Sequence, residues 1–286
     1  MSLIATPKEL LKRGTGWVVD PPDERDHVSQ IEISASLPDS VDLREWCSPI
    51  EQQGQINSCT AHAAIALIEY FQRKAFGNHL DASRLFLYKV SRNLLHWTGD
   101  RGAYSRTAMK ALALFGVPPE EYWPYDVTKL DEEPPAFCYA IASRYRATGY
   151  YRLDQKDVTR ETLLQQIKAN LAASRPIMFG MLFHVGCAQQ STATGRIPVP
   201  AESDTEWFGH NMAAVGYDDN MKIKNSDSAG LETTGALLIR NSFGSEWGEQ
   251  GYGWLPYEYV LRQLSMDWWT LLNQDWLATG EFDMKK

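Results

Sequence analysis

Residues 53–59 read Gln-Gly-Gln-Ile-Asn-Ser-Cys and lead directly into a segment with helical spacing. From Cys59 to Phe76 apolar residues recur at steps of three and four, and Gly77 follows as a stop signal. The sequence therefore predicts that Cys59 stands at the first turn of a helix. A thiol at that place lies beside unpaired backbone N–H groups and the positive end of the helix dipole. Both favour the thiolate, which is the nucleophilic form of cysteine.

The loop before Cys59 contains a candidate for stabilising negative charge. When a thiolate attacks a carbonyl group, charge builds on the carbonyl oxygen, and hydrogen-bond donors must point at that oxygen. The amide of Gln53 can fold back across the loop to supply one donor, and the backbone N–H of Cys59 supplies a second. A single cysteine is more often a buried, inert residue, so a catalytic interpretation needs partner residues elsewhere in the chain.

Two later segments contain such partners. Residues 208–217 read Phe-Gly-His-Asn-Met-Ala-Ala-Val-Gly-Tyr, which places His210 at the start of an apolar strand. Residues 239–253 read Ile-Arg-Asn-Ser-Phe-Gly-Ser-Glu-Trp-Gly-Glu-Gln-Gly-Tyr-Gly, which places Asn241 at the end of another. An asparagine followed by aromatic residues can hold an imidazole in one tautomer under an apolar cover. The candidate roles are therefore nucleophile for Cys59, base for His210 and orienting group for Asn241.

These three segments resemble the papain-like cysteine peptidases, in particular bacterial members, whose catalysis uses Cys, His and Asn. Residues 37–44, from Leu37-Pro38 to Leu43-Arg44, are similar to the start of the mature domain in that family. The sequence Tyr-Trp-Pro-Tyr at 122–125 is similar to the family's tyrosine–proline–tyrosine turn. The resemblance covers most of residues 37–260, and the motifs occur in the family's order.

The resemblance implies an α+β fold with two lobes. One lobe is helical, the other is an antiparallel β-barrel-like lobe, and the active site lies in the cleft between them. It also implies hydrolysis of peptide bonds in peptide or protein substrates through a thioester, with no metal and no organic cofactor. Features of exopeptidase relatives are not evident, so an endopeptidase is expected.

Five further residues are candidates for binding the substrate. Gly102 and Ala103 fall where family members carry a glycine pair that hydrogen-bonds an extended substrate backbone. By position, Ser105, Gly209 and Asn211 are expected near the substrate subsites. The sequence does not indicate which substrate residue would be preferred.

The chain departs from the family pattern next to Cys59. Ile56 replaces a cysteine that forms a disulfide in relatives, and Asp100 stands where its partner would be. Loss of both halves fits a reducing compartment, and the start of the chain lacks the apolar core of a secretory signal. The chain is therefore expected to be cytoplasmic, or secreted without disulfides. Thr60 and Phe243 replace two tryptophans, but no reacting group is missing.

The composition argues against other classes of partner. The formal net charge is −8, from 28 basic and 36 acidic residues, and basic residues do not cluster. Nucleic acid is therefore not expected as a partner, because phosphate binding needs clustered Lys and Arg. No stretch approaches the roughly eighteen apolar residues that span a bilayer, so a membrane partner is not expected either.

The spacing of apolar residues predicts further elements on both sides of Pro134-Pro135. The predicted helices are Ser83–Leu95, Ser105–Phe115 and Thr159–Ala173. The predicted strands are Ser143–Leu153, Pro176–Phe183, Met212–Tyr217 and Ala236–Arg240, with a long hairpin loop over Asp218–Thr234.

Two regions are expected: an N-terminal leader or arm over residues 1–36 and a peptidase domain over residues 37–286. The arm contains Trp17 and the stiff pair Pro21-Pro22, and it lacks the long helical pattern of many inhibitory leaders in the family. One hypothesis is that Gly14–His27 lies over the active site and inhibits it, as in a zymogen. A surface-packed or loose arm without a regulatory role is the other, and the sequence leaves both open.

Two alternative functions use the same residues. A transpeptidase or transamidase would pass the acyl group to an amine instead of water, with the same Cys, His and Asn. A non-catalytic binding protein would keep the fold without turnover. The presence of all four reacting groups favours an enzyme.

Overall fold

The computed structural model of the protein describes residues 16–27, 36–201, 206–226 and 231–271. Its α-helices are α1 (Cys59–Phe76), α2 (Arg84–Leu94), α3 (Ser105–Leu114), α4 (Ala136–Ala142), α5 (Arg160–Ala172), α6 (Val185–Ser191) and α7 (Glu258–Leu261). Its strands are β1 (Trp17–Val18), β2 (Ser40–Asp42), β3 (Ala103–Tyr104), β4 (Tyr150–Arg152), β5 (Ile177–His184), β6 (Trp207–Lys224), β7 (Glu232–Arg240), β8 (Tyr252–Pro256) and β9 (Ser265–Leu271). Short 3-10 helices lie at Arg44–Trp46, Glu120–Tyr122 and Val127–Lys129.

The first half of the chain is helical, as predicted. Helix α1 is buried along most of its length, which fits its apolar composition on several faces. It ends at Gly77, whose φ of 74° is the left-handed conformation that favours glycine. Ser83 and Thr159 cap α2 and α5 by accepting the N–H groups of Phe86 and Thr162. The predicted helices therefore exist with ends that differ by about one residue.

The second half is built on one antiparallel sheet. The strand order is β4-β9-β5-β6-β7-β8, and β2 adds to β6. Strand β5 pairs with β6 along its whole length, from Ile177 opposite Ala214 to His184 opposite Trp207. His210 lies within this paired region, opposite Met181. The α+β fold expected from the resemblance is confirmed.

The predicted hairpin loop over Asp218–Thr234 is wrong. Strand β6 continues to Lys224 and β7 begins at Glu232, so the two strands pair through most of this polar stretch. A register shift between Asp218 and Lys222 breaks the regular pattern, and Ile223 is one of few buried residues beyond it. Backbone pairing continues here although the apolar alternation is weak, and apolar alternation was the signal used for prediction.

The predicted strand Ser143–Leu153 is mostly wrong. Only Tyr150–Arg152 is a strand, paired with β9. The residues before it belong to turns that follow α4, a short helix that the sequence did not indicate. Pro135 precedes the first residue of α4 and accepts the N–H of Cys138, which fits proline's preference for a helix start.

The two halves meet where α1 packs against β6. Cys59 is the first residue of α1, and His210 and Asn211 lie in β6. Asn211 donates from Nδ2 to Ser105 Oγ at 2.8 Å, which joins β6 to the start of α3. The fold therefore brings the helix N-terminus of one half against the central strand of the other.

Candidate active site

The thiol of Cys59 lies in a fully buried position at the start of α1. Burial raises the pKa of Cys59 to about 12, although the backbone N–H groups of Asn211, Gly16, Thr60 and Cys59 itself act against the rise. The backbone N–H groups near the helix N-terminus therefore favour the thiolate as predicted, but burial outweighs them and favours the protonated thiol. One of these N–H groups belongs to Asn211, the residue that follows His210.

The imidazole of His210 is held in one tautomer. Its Nε2 lies 2.8 Å from Asn241 Oδ1, and the backbone N–H of Ser242 donates to that same oxygen at 2.8 Å. Because an atom that accepts the Ser242 N–H must be oxygen, Nε2 of His210 must be the donor. In the neutral ring, Nδ1 then carries the lone pair. Nδ1 is buried and has no hydrogen-bond partner within the described residues, so it is free to accept a proton.

An aromatic cover excludes water from His210. Phe243 stacks on the imidazole with ring centroids 4.6 Å apart, and Trp247 packs edge-on against Phe243 at 6.3 Å. Burial lowers the pKa of His210 to about 4, against the opposing effect of the Asn241 hydrogen bond. Burial therefore favours the neutral forms of both Cys59 and His210.

The side-chain amide of Gln53 is fixed at both ends. Its Nε2 donates to Ile56 O at 3.0 Å, and its Oε1 accepts from Ser242 Oγ at 2.6 Å. Because the carbonyl of Ile56 can only accept, it identifies the Nε2 end of the amide, and the hydroxyl of Ser242 holds the Oε1 end. A primary amide carries two N–H bonds, so Nε2 keeps one for another acceptor. The sequence predicted Gln53 but missed Ser242, although Ser242 directly follows Asn241.

Tyr125 is a second residue whose role the sequence did not reveal. Its hydroxyl donates to Gln53 O at 2.8 Å and lies 2.6 Å from Ser58 Oγ. Since the single phenolic proton goes to Gln53, the Ser58 hydroxyl must donate to Tyr125. One side chain thus holds both ends of the loop that precedes Cys59. The Tyr-Trp-Pro-Tyr motif marked this residue in the sequence, but the motif alone did not show that Tyr125 contacts Gln53 and Ser58.

A polar network links this loop to residues 99–102. The backbone N–H of Asn57 donates to Asp100 Oδ1 at 2.8 Å, and Asn57 Nδ2 donates to Asp100 O at 2.9 Å. Tyr88 OH also donates to Asp100 Oδ1, at 2.7 Å. Asp100 therefore contacts Asn57, next to Ile56, at the place where the resemblance implied a lost disulfide. The four cysteines, which are Cys47, Cys59, Cys138 and Cys187, are all buried and form no disulfide.

The candidate substrate-binding residues face a segment of the chain itself. Residues 16–27, here called the strap, begin with β1, which runs parallel to β3. Ala103 N donates to Gly16 O at 2.8 Å. A Cβ on Gly102 would lie 2.4 Å from Gly16 O, and one on Gly209 would lie 2.6 Å from Trp17 O. These three residues therefore lie against the strap, whereas Ser105 and Asn211 hydrogen-bond each other.

Trp17 of the strap fills a pocket between the halves. It is 4% exposed, and a Cβ on Gly180 would lie 1.9 Å from its Cε2 atom. The indole Nε1 donates to Asp267 Oδ2 at 3.0 Å. Burial of an indole of this size removes about 150–250 Å² from water, worth roughly 4–6 kcal/mol as an upper bound. The remaining part of the predicted segment, Gly14 and Thr15, lies outside the described residues.

The next part of the strap is held by hydrogen bonds of Asp20 to Asp267 and Trp269. Asp20 N donates to Asp267 Oδ2 at 2.8 Å, and Asp20 Oδ2 accepts from Trp269 Nε1 at 2.8 Å. Burial raises the pKa of Asp20 to about 7, and the nearby Asp267 adds to the rise. Burial likewise raises the pKa of Asp267 to about 6. Arg106 and Arg152 are the cations nearest to this pair.

The described residues contain neither a cluster of metal ligands nor a helix suited to cross a membrane. No group of three or more His, Cys, Asp or Glu in this part of the chain is arranged to hold a metal ion. Among the helices described, none combines the length and apolar character needed to cross a membrane.

Residues 37–261 match the family model described as papain family cysteine protease. The chain belongs to the papain family of cysteine proteases. The solved structure of xylellain, a cysteine protease from Xylella fastidiosa, is similar over 91% of this chain and 96% of its own, with 33% identity and a TM-score of 0.76. The resemblance inferred from the motifs, and the expectation of a cysteine peptidase, are confirmed.

Two curated relatives show how far the similarity extends. An uncharacterized peptidase C1-like protein of Acanthamoeba polyphaga mimivirus is 31% identical over 91% of this papain-family chain and 87% of its own length. Chymopapain of Carica papaya is 26% identical over 85% of this chain, which spans 63% of the chymopapain sequence.

Proposed function

We propose that this protease cleaves peptide bonds with Cys59 as nucleophile, His210 as acid and base, and Asn241 as the group that orients His210. The observation that carries the proposal is the hydrogen bond between His210 Nε2 and Asn241 Oδ1. It leaves the Nδ1 lone pair of His210 as the acceptor for the thiol proton of Cys59. The backbone N–H of Asn211 on the sulfur supports the same pairing.

The reaction follows from these positions. His210 Nδ1 takes the proton from Cys59, and the sulfur forms a bond to the carbonyl carbon of the scissile peptide. The free N–H of Gln53 and the backbone N–H of Cys59 hold the developing oxyanion. His210 then gives the proton to the leaving amine as the C–N bond breaks, which leaves a thioester. Water attacks the thioester with His210 as base, and the thiol is restored with release of a carboxylic acid.

We also propose that the strap inhibits this site within the same chain. Gly16 and Trp17 occupy the edge of β3, next to Gly209, where a substrate backbone would bind. A Cβ on Gly16 would lie 2.1 Å from Asn57 O, so the strap also packs against the loop that precedes Cys59. The strap therefore occupies the site in place of a substrate. Substrates are peptides or proteins that bind after the strap is displaced.

The test of this function is analysis of the cleavage products. A peptide mixture is incubated with the protein in ¹⁸O-labelled water, with and without an added amine, and the new carboxyl termini are examined by mass spectrometry. We expect ¹⁸O in the new carboxyl groups and little amine-linked product, because water is the acceptor. Products that carry the amine in place of the label would indicate a transamidase instead.

Gln53→Ala should lower kcat by about 10²–10³, the usual effect of removing one oxyanion donor. Ser242→Ala should lower kcat by roughly ten-fold, because its hydroxyl only fixes the orientation of the amide. Steady-state kinetics of the purified variants on one peptide substrate measure both changes. Ser143→Ala, at an exposed hydroxyl outside the site, is the matched control. An unchanged kcat in Gln53→Ala would show that another group holds the oxyanion.

A further inference from the structure

Two arginines flank one indole at the point where the strap leaves the pocket of Trp17. Arg106 comes from α3 and Arg152 from β4, and their guanidinium carbons lie 5.6 Å and 5.5 Å from the centre of the Trp269 ring. Their side chains are 13% and 14% exposed. We call this arrangement of Arg106, Arg152 and Trp269 the two-arginine site. It contacts two carboxylates of the strap, those of Asp20 and Asp26.

Arg106 holds Asp26 in a two-pronged contact. Its Nε donates to Asp26 Oδ1 at 2.7 Å, and its Nη2 donates to Asp26 Oδ2 at 2.6 Å. Its Nη1 donates to Pro21 O at 2.7 Å. Every hydrogen bond of this guanidinium within the described residues therefore ends on the strap. The backbone N–H of Arg106 also points at Asp20, with both oxygens at 3.2 Å.

Arg152 is different, because the protease domain neutralises it. Its Nε donates to Asp154 Oδ1 at 2.9 Å, and its Nη2 donates to Asp267 Oδ1 at 2.8 Å. Its backbone N–H donates to His27 O of the strap, but its guanidinium lies farther from the strap carboxylates, 3.6 Å from Asp26 and 3.9 Å from Asp20. When the strap leaves, Arg152 keeps both carboxylates and Arg106 loses its carboxylate partner.

We propose that the two-arginine site is a substrate subsite that binds an acidic side chain of the peptide being cleaved. The proposal rests on the cleft function proposed above. When the strap is displaced, Arg106 loses the carboxylate of Asp26, and a carboxylate of the substrate can take the same place on its guanidinium. The planar fork of arginine matches a carboxylate in geometry as well as in charge.

The strap indicates how far from the cleaved bond the acidic residue lies. A Cβ on Gly16 would lie 2.1 Å from Asn57 O, two residues before Cys59, while Trp17 fills the pocket and Asp20 reaches Trp269 and the N–H of Arg106. Asp20 lies four positions after Gly16, and each residue of an extended chain spans about 3.3 Å. The acidic side chain of a substrate should therefore lie two to five residues from the cleaved bond. The acidic residue belongs on the side of the cleft that holds Trp17.

The experiment uses the full chain with Trp17→Ala and Asp26→Asn, which weaken the strap. The peptides form pairs that differ only by Glu or Gln at one position. In successive pairs that position lies two, three, four or five residues from the cleaved bond. Binding is measured by calorimetry in the same chain with Cys59→Ala, and hydrolysis is measured with Cys59 present. A charged hydrogen bond contributes about 1.5–3 kcal/mol, so we expect roughly ten-fold or greater preference for Glu at one position, expressed in Kd and KM.

Arg106→Gln is the deciding variant, and Arg106→Lys is its matched control. The Glu preference should fall to about one in Arg106→Gln and persist in part in Arg106→Lys, which keeps the charge without the fork. Equal binding of Glu and Gln peptides at every position would overturn the proposal, as would an unchanged preference in Arg106→Gln. A Glu preference in binding without any hydrolysis would support the subsite and contradict the proposed function.

Discussion

Cys59→Ala should reduce peptide hydrolysis to the background rate, a loss of about 10⁴–10⁶ in kcat. The sulfur forms the bond to the substrate, and no other thiol reaches this position between α1 and β6 within the described residues. His210→Ala should be almost as damaging, because the thiol and its base act as one unit. Asn241→Ala should be milder, since Asn241 only fixes the ring of His210.

The measurement is steady-state hydrolysis of a fluorogenic peptide by the full chain and each variant, together with thermal melting. Cys138→Ala is the matched control, because Cys138 is a buried thiol whose sulfur donates to Tyr122 O outside the site. It should retain activity although it loses a comparable side chain. Activity that persists in Cys59→Ala would exclude Cys59 as the nucleophile.

Trp17→Ala should raise kcat/KM of the full chain at least ten-fold. The indole is the largest buried group of the strap and hydrogen-bonds Asp267. Replacing a buried tryptophan by alanine costs about 3–5 kcal/mol, and each 1.4 kcal/mol changes the population with an open cleft about ten-fold. The rise in kcat/KM reaches its limit when the strap is mostly displaced. The kcat/KM of a chain that begins at Leu37 gives this limit.

Val19→Ala is the control for the strap, because Val19 lies two residues away and is 49% exposed. It should leave kcat/KM close to that of the wild type. If Trp17→Ala and the chain beginning at Leu37 are both folded and no more active than the wild type, the strap is a packed arm without an inhibitory role.

The ratio of Trp17→Ala to wild-type activity should depend on pH, and the pKa of Asp20 determines the direction of the change. Docking of the strap buries Asp20 beside Asp267 and raises the pKa of Asp20 from 3.8 to about 7. A carboxyl whose pKa is raised stabilises docking most fully below its ordinary value, and this contribution is lost as the pH rises through about 7. Arg106 opposes the rise for Asp20, and Asp154 adds to it for Asp267. The ratio of Trp17→Ala to wild-type activity should therefore be larger at pH 5 than at pH 8.

The sequence predicted most of the reacting groups because their roles depend on local signals. The helix that begins at Cys59 follows from its apolar spacing, and α1 begins and ends where predicted. His210 lies in β6 and Asn241 directly follows β7, and the hydrogen bond between their side chains fits the roles proposed for them. Local patterns are sufficient here because the position of each of these side chains is set by the start or the end of a single helix or strand.

Contacts between distant residues could not be predicted in the same way. Ser242 orients Gln53 across 189 positions, and Trp17 meets Asp267 across 250. No spacing rule connects such pairs, because they come together only when both halves of the fold are formed. The error over Asp218–Thr234 has another cause: strand pairing there is carried by backbone hydrogen bonds between polar residues, which leave little trace in hydropathy.

The pairing of Cys59 with His210 is tested most directly by the rate of alkylation of Cys59 as a function of pH. Iodoacetamide is added in small excess to the full chain with Trp17→Ala, with and without His210→Ala, and labelled cysteines are located by peptide mapping. We expect Cys59 to react before Cys47, Cys138 and Cys187, at a pH well below the ordinary thiol pKa of about 8.5, and only when His210 is present. A Cys59 that reacts like an ordinary thiol, at the same rate with and without His210, would contradict this pairing.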